Sequence, residues 1–239
     1  MESDVALTAQ CKNCGKPLDS PFCPNCGQTA KVEVPTVQTF VHDAFAALFS
    51  YDAKAWRTLG RLLAKPGQLS VDYVEGRRIS LVVPVTLYFW LQTICFLTFA
   101  FFLHNMAGQA TDRARSLLIM TGVLAVILAI VTFYRKRKFA EHFVFSLHLS
   151  SFLLLVLTFD YALVPVMTNY LQKTGHLSLS FDPGPLMTKV AIVFMMPYTV
   201  FALRKFYGDH FILAIVNSVI LYYSYFMIYV FVTRWFNLK

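Results

Sequence analysis

Tyr134–Phe152 reads YRKRKFAEHFVFSLHLSSF, and the reading of this stretch decides the fold. Four consecutive cations, Arg135, Lys136, Arg137 and Lys138, run directly into an apolar segment that carries Glu141, His142 and His148. A block of Lys and Arg marks a loop retained on the cytoplasmic side, because basic residues resist translocation. On either side of the block the chain is apolar for about the 20 residues that a helix needs to cross hydrocarbon. The stretch therefore reads as the tip of a membrane hairpin and the start of its returning helix.

Working outward, 57% of the 239 residues are hydrophobic, 16% aromatic and only 14% charged. Charged residues make up about 25% of an ordinary soluble domain, so this is a chain built for lipid. Five segments are long enough to span: 81–103, 116–134, 143–164, 186–203 and 211–233. Arg77 and Arg78 precede the first, Arg135 to Lys138 follow the second, and Arg204 and Lys205 follow the fourth. Placing those loops in the cytosol with the N-terminus puts 15 of the 21 basic residues inside, which satisfies the positive-inside rule with the C-terminus periplasmic. Met1 to Ala9 holds Glu2 and Asp4 and no apolar run, so no cleavable signal peptide is expected. The fold class is an all-α integral membrane protein of five transmembrane helices. Its expected divisions are 1–35, 36–80 and 81–239, and its first partner is the phospholipid bilayer.

Four of the five cysteines, Cys11, Cys14, Cys23 and Cys26, form two C-x2-C knuckles separated by eight residues. Each knuckle sets two thiolates on one turn, with Gly15 or Gly27 letting the backbone curl, so residues 1–35 read as a zinc ribbon with a closed four-cysteine site. A closed site leaves no coordination position for a substrate, so the zinc is expected to be structural. The segment carries Lys12, Lys16 and Lys31 against Glu2, Asp4, Asp19 and Glu33. That balance argues against nucleic acid and for a protein contact, cytosolic or in the membrane. An oligomer is compatible with the same reading.

Between ribbon and spans, Val37, Phe40, Val41, Ala44 and Leu48 recur at helical spacing, and Lys54 to Lys65 sets Trp56, Leu59, Leu62 and Leu63 beside Lys54, Arg57, Arg61 and Lys65. Two placements remain open for these amphipathic helices. They lie on an anionic inner leaflet, or they pack on the cytoplasmic ends of the spans. A weak internal match, Arg137-Lys-Phe-Ala-Glu-His142 with Arg204-Lys-Phe-Tyr-Gly-Asp-His210, suggests one helical hairpin used twice.

The ribbon ending Cys26-Gly27-Gln28, the helix closing on Lys65-Pro66-Gly67, the run Asp72-Tyr73-Val74-Glu75-Gly76-Arg77-Arg78 with Pro84 following, and Glu141 to His148 together resemble an uncharacterised bacterial family of multi-pass membrane proteins with an N-terminal zinc ribbon. The resemblance implies an inner-membrane location and this architecture. It brings no catalytic residue. The layout is more distantly similar to that of the Yip-type membrane-trafficking proteins.

Within the quoted stretch Glu141 and His148 share a helix face but stand about 10 Å apart along the axis, so one helix holds no metal pair. The matching residues Asp209 and His210 would bring a second carboxylate and histidine to the same depth as Glu141 and His142. This cluster has two readings: a metal- or proton-binding site, or carboxylates placed at the positive ends of two helices. His148 lies deeper, where a polar group calls for a helix–helix hydrogen bond or a function. Gln92 and Asn217 are the expected partners. No HExxH, P-loop, dinucleotide fingerprint or nucleophile triad is present. The functional expectation is a bacterial inner-membrane organiser or scaffold whose ribbon docks a cytosolic protein. A transporter or lipid-handling protein using His148 is the alternative, and a metal-dependent intramembrane enzyme a third.

Overall fold

The computed structural model describes residues 10–18, 20–30, 54–102, 110–174 and 184–237, with the side chains of 110, 184–192, 232, 233 and 235–237 outside the description. The short helix expected near 37–49 and most of the loop from 169 to 185 fall outside these residues. Among the described residues seven α-helices follow the ribbon: α1 Lys54–Ala64, α2 Gln68–Val74, α3 Pro84–Phe102, α4 Ala110–Val131, α5 Phe139–Lys173, α6 Gly184–Tyr207 and α7 Phe211–Asn237. Among the described residues there is no strand, only two isolated bridges inside the ribbon.

Each boundary has a local cause. Gly67 adopts φ +77° between α1 and α2, and Gly76 adopts φ +95° after α2, both in the left-handed region open to glycine. Pro84 opens α3, where its missing N–H costs nothing. Gly208, at φ +71°, stops α6 by donating its N–H to the Arg204 carbonyl at 3.0 Å.

Among the described residues four helices, α3, α4, α5 and α7, are long and apolar enough to cross a membrane. The expected segment 186–203 falls in α6, a 24-residue helix whose first residues lack described side chains. The boundaries of α5 differ most from expectation. It runs 35 residues rather than the 22 of 143–164, about 52 Å at 1.5 Å per residue against about 30 Å of hydrocarbon. It passes through Pro165, and the Thr168 hydroxyl donates to the Val164 carbonyl at 2.9 Å beside the interruption.

α5 is the centre of the packing and touches α1, α2, α3, α4 and α6, while α7 closes against α4 and α6. Leu87, Tyr88, Leu128, Phe145, Leu154, Phe206 and Leu221 fill the interior. The outside is equally apolar: Phe101, Ile130, Ile212 and Tyr223 are exposed on three different helices. Burial alone cannot account for apolar residues on both surfaces, and lipid contact does.

α1 and α2 pack on the ends of the spans, burying Leu62, Leu69 and Tyr73 in the common core. The opposite face of α1 still presents Trp56, 78% exposed, and Leu63. These are seven residues apart and therefore on one side of the helix. The proposed hairpin repeat does not hold residue by residue. Arg137, Lys138 and Phe139 open α5, whereas Arg204, Lys205 and Phe206 close α6. The matched tripeptides thus lie on opposite sides of their turns.

Candidate functional site

The two knuckles of the ribbon are the same turn built twice. Cys11 N–H donates to the Lys16 carbonyl and Gly15 N–H to the Cys11 carbonyl, both at 2.8 Å, and Cys23, Gln28 and Gly27 repeat the pattern at the same distances. Gly15 and Gly27 hold φ near +74° and +73°. The four Sγ atoms lie within 4.8 Å of one another, with Cys11–Cys26 and Cys14–Cys23 each at 3.5 Å. A tetrahedron with metal–sulfur bonds of about 2.3 Å has edges of about 3.8 Å, so this donor set fits one ion. The Lys16 backbone N–H, directed at Sγ, pulls the Cys14 thiol down to about 6 despite an opposing desolvation effect. Cys14 is therefore poised as a thiolate ligand. All four positions of such an ion would be filled by protein, leaving none for a substrate.

The ribbon is tied to the helical part of its own chain. Gln28 Nε2 donates to the Gly76 carbonyl at 2.6 Å, and Ser80 Oγ donates to Asn13 Oδ1 at 3.3 Å. The segment it meets is itself organised around one carboxylate. Asp72, buried on α2, accepts from Arg61 at 2.9 Å, from Gln68 at 2.6 Å and from Arg77 at 3.0 and 2.6 Å. Three further bonds fasten this cap to the bundle. Ser70 Oγ meets His148 Nδ1 at 2.9 Å, Tyr198 donates to the Leu62 carbonyl at 2.8 Å, and the Val82 N–H donates to Thr58 Oγ1 at 3.1 Å.

His148, Gln92 and Asn217 are not brought together. Ser70 is the partner of His148. Gln92 accepts from Tyr88 one turn earlier on its own helix at 3.1 Å. Asn217 donates to Asp209 and to the Tyr134 hydroxyl, both at 2.9 Å. Sequence reasoning missed Ser70 and Asp72 as polar anchors, although Asp72 opens the run to Arg78 that carried the family resemblance and Ser70 lies two residues before it.

Glu141, His142, Asp209 and His210 do not form a metal cluster either. Among the described residues the four cysteines are the one group of His, Cys, Asp and Glu placed to hold an ion. Each expected member has another partner or none of the others within reach. Glu141 takes Arg137 at 2.8 Å, His142 Nδ1 shares a 2.7 Å bond with the Tyr207 hydroxyl and stacks on that ring, and His210 is exposed. Asp209, its side chain fully buried, is held by Arg135 at 2.7 and 3.0 Å. Two cations of the hairpin tip, Arg135 and Arg137, therefore neutralise the acids that resembled ligands.

Asp160 is 3% exposed on α5, and neither of its carboxyl oxygens has a hydrogen-bond partner among the described residues. Two concavities accompany these contacts. One, about 530 Å³, is lined by apolar and aromatic side chains of α4 to α7, including Leu124, Leu149, Met195, Tyr222 and Phe226. The other, about 620 Å³, lies between the α1–α2 turn and the end of α6 and carries Lys65, Arg204 and Lys205.

Residues 52–96, which contain α1, α2, the Asp72 hub and the first part of α3, match the family described as "Protein of unknown function (DUF3667)". No curated protein matches the chain, and neither does any solved structure.

Proposed function

We propose that this chain is a bacterial inner-membrane scaffold that crosses the bilayer five times. Its N-terminal ribbon lies in the cytosol, holds a structural zinc ion and docks a cytosolic protein, and its C-terminus is periplasmic. The observation that carries the reading is the attachment of the ribbon through Gln28 and Asn13 to the turn before the first span. A ribbon held in this way is a fixed platform, and it presents Phe22, 60% exposed, away from its small core. An all-thiolate tetrahedral set favours zinc among the ions available to such a site, with no role for it in turnover. The fifth crossing is assigned to α6, which at 24 residues is about 36 Å long. The five crossings then distribute basic residues as the positive-inside rule requires.

A photocrosslinking residue at position 22 in living cells tests the docking. It should capture one defined cytosolic protein, and Cys14→Ser/Cys26→Ser should abolish that product while leaving the protein in the membrane. Absence of any product, together with an unchanged phenotype on deleting residues 1–35, would end this reading. Metal analysis of the purified protein should return one zinc per chain.

A second reading, a lipid-handling protein, is favoured by the 530 Å³ cavity among α4 to α7, a volume typical of ligand sites. His148 does not line it. Under this reading Leu149→Trp should displace a co-purifying apolar molecule without changing insertion, and an unchanged lipid complement would remove it.

A further inference from the structure

We infer that the cleft between the α1–α2 turn and the end of α6 is a binding site for the phosphate of an anionic phospholipid. The cleft encloses about 620 Å³ and brings Lys65, from the end of α1, next to Arg204 and Lys205, from the last turn of α6. The approach of the two elements is built into the backbone. Gly67, at φ +77°, lies so close to α6 that a Cβ there would stand 2.6 Å from the Ala202 carbonyl oxygen.

The electrostatic balance of the cleft is positive. Two helix C-termini supply about one negative charge between them, against three cations. Asp209 also lines the cleft, but its side chain is fully buried and its charge is already engaged by Arg135 and Asn217. None of the three cations has an acidic partner within 4 Å among the described residues; Arg204 instead lies over the Phe211 ring at 5.4 Å. Donors without acceptors in a concave cationic site match a phosphate oxygen cluster.

The surroundings favour a lipid over a soluble anion. Phe201 lines the same cleft and is 52% exposed, and Phe211 and Ile212, just beyond it, are also exposed. The cleft thus sits where the cationic end of the bundle meets its apolar belt, so a ligand with a phosphate and an acyl tail satisfies both surfaces. Basic pockets between membrane helices hold anionic headgroups by the same logic. This inference rests on the chain being a membrane protein, which detergent-dependent extraction tests separately.

The experiment uses the full-length protein in phosphatidylcholine nanodiscs containing a minor fraction of phosphatidylglycerol, with retained lipid counted by native mass spectrometry. Phosphatidylglycerol should be retained in preference to phosphatidylcholine. Each cation near an anionic surface contributes roughly fivefold, so Lys65→Gln/Arg204→Gln/Lys205→Gln should lower retention at least tenfold. Lys136→Gln/Lys138→Gln, exposed cations at the same end of the bundle but outside the cleft, should change it less than twofold. Equal retention of the two lipids would overturn the site, as would an equal effect of both variants. Displacement by millimolar inorganic phosphate would replace the lipid with a soluble anion and overturn the assignment as stated.

Discussion

A histidine inside a membrane helix must find a partner, and His148 finds Ser70 on the short helix α2. Hydrogen bonds of this kind contribute about 1 kcal/mol each. Ser70→Ala and His148→Ala should therefore each lower stability by about 1–2 kcal/mol. The double variant should cost about 1 kcal/mol less than their sum, measured by unfolding in detergent. Strict additivity would mean that the two side chains act independently. Two of the buried aspartates, Asp209 and Asp160, make opposite predictions. Asp209 accepts from Arg135, Tyr134 and Asn217, so Asp209→Asn should cost about 2–3 kcal/mol, because hydrogen bonds to charged groups are the strong ones. Asp160 has no partner to lose. Replacing it with Asn removes a group that is costly to ionise, so the melting temperature should hold or rise. Two acids among apolar segments look alike in sequence, and only their surroundings separate them.

Helices follow from short-range pattern, and most of the elements were legible for that reason. The length of α5 was not. Span length placed its end near 164, yet the helix continues through Pro165 to Lys173 because neighbouring contacts outweigh one missing backbone bond. Nor could the alignment of the two hairpin tips be trusted. It rested on composition, whereas the turns are set by residues in the left-handed region, Lys136 at φ +49° and Gly208 at φ +71°. Glycines within the α1–α2 unit give the test at this scale. Gly67→Ala combines a strained φ with a 2.6 Å approach to backbone and should destabilise by about 1–3 kcal/mol. Gly60→Ala, inside α1 with nothing within 4 Å of the added carbon, should stabilise by about 0.5–1 kcal/mol. Thermal melts of the two variants moving in the same direction would contradict the packing of this turn on α6.

At the scale of the molecule, two cores of different kinds meet. The bundle core is extensive, but the ribbon core is only Cys11, Leu18 and Cys23 with Cys26 and Ala30 against them. So small a cluster among the described residues holds a fold weakly by burial, and a metal ion on the four cysteines would supply the missing stability. Chelation should make residues 10–30 protease-sensitive while shifting the melting of the bundle by only a few degrees. Loss of both together would show that the ribbon supports the spans. Acid should have the same local effect. Because Cys14 is held at about 6 rather than 9.0, the thiolate's contribution is complete above the unfolded value and is lost as pH falls through about 6. In metal-free protein Cys14, the exposed member of the four, should be alkylated first, with a midpoint near that pH.

What the sequence by itself determined are the properties carried by neighbouring residues. Apolar runs of spanning length, basic loops between them and two C-x2-C knuckles each express their chemistry within a few turns of chain. The tertiary structure decided which polar groups meet. Ser70 and His148 are 78 residues apart and Arg135 and Asp209 are 74 apart, and helical spacing says nothing at that range. The same long-range packing turned the acids and histidines of the quoted stretch from apparent ligands into pairs already satisfied. It also set Lys65 beside Arg204 and Lys205 in a cationic cleft where none of the three has an acidic partner within 4 Å among the described residues.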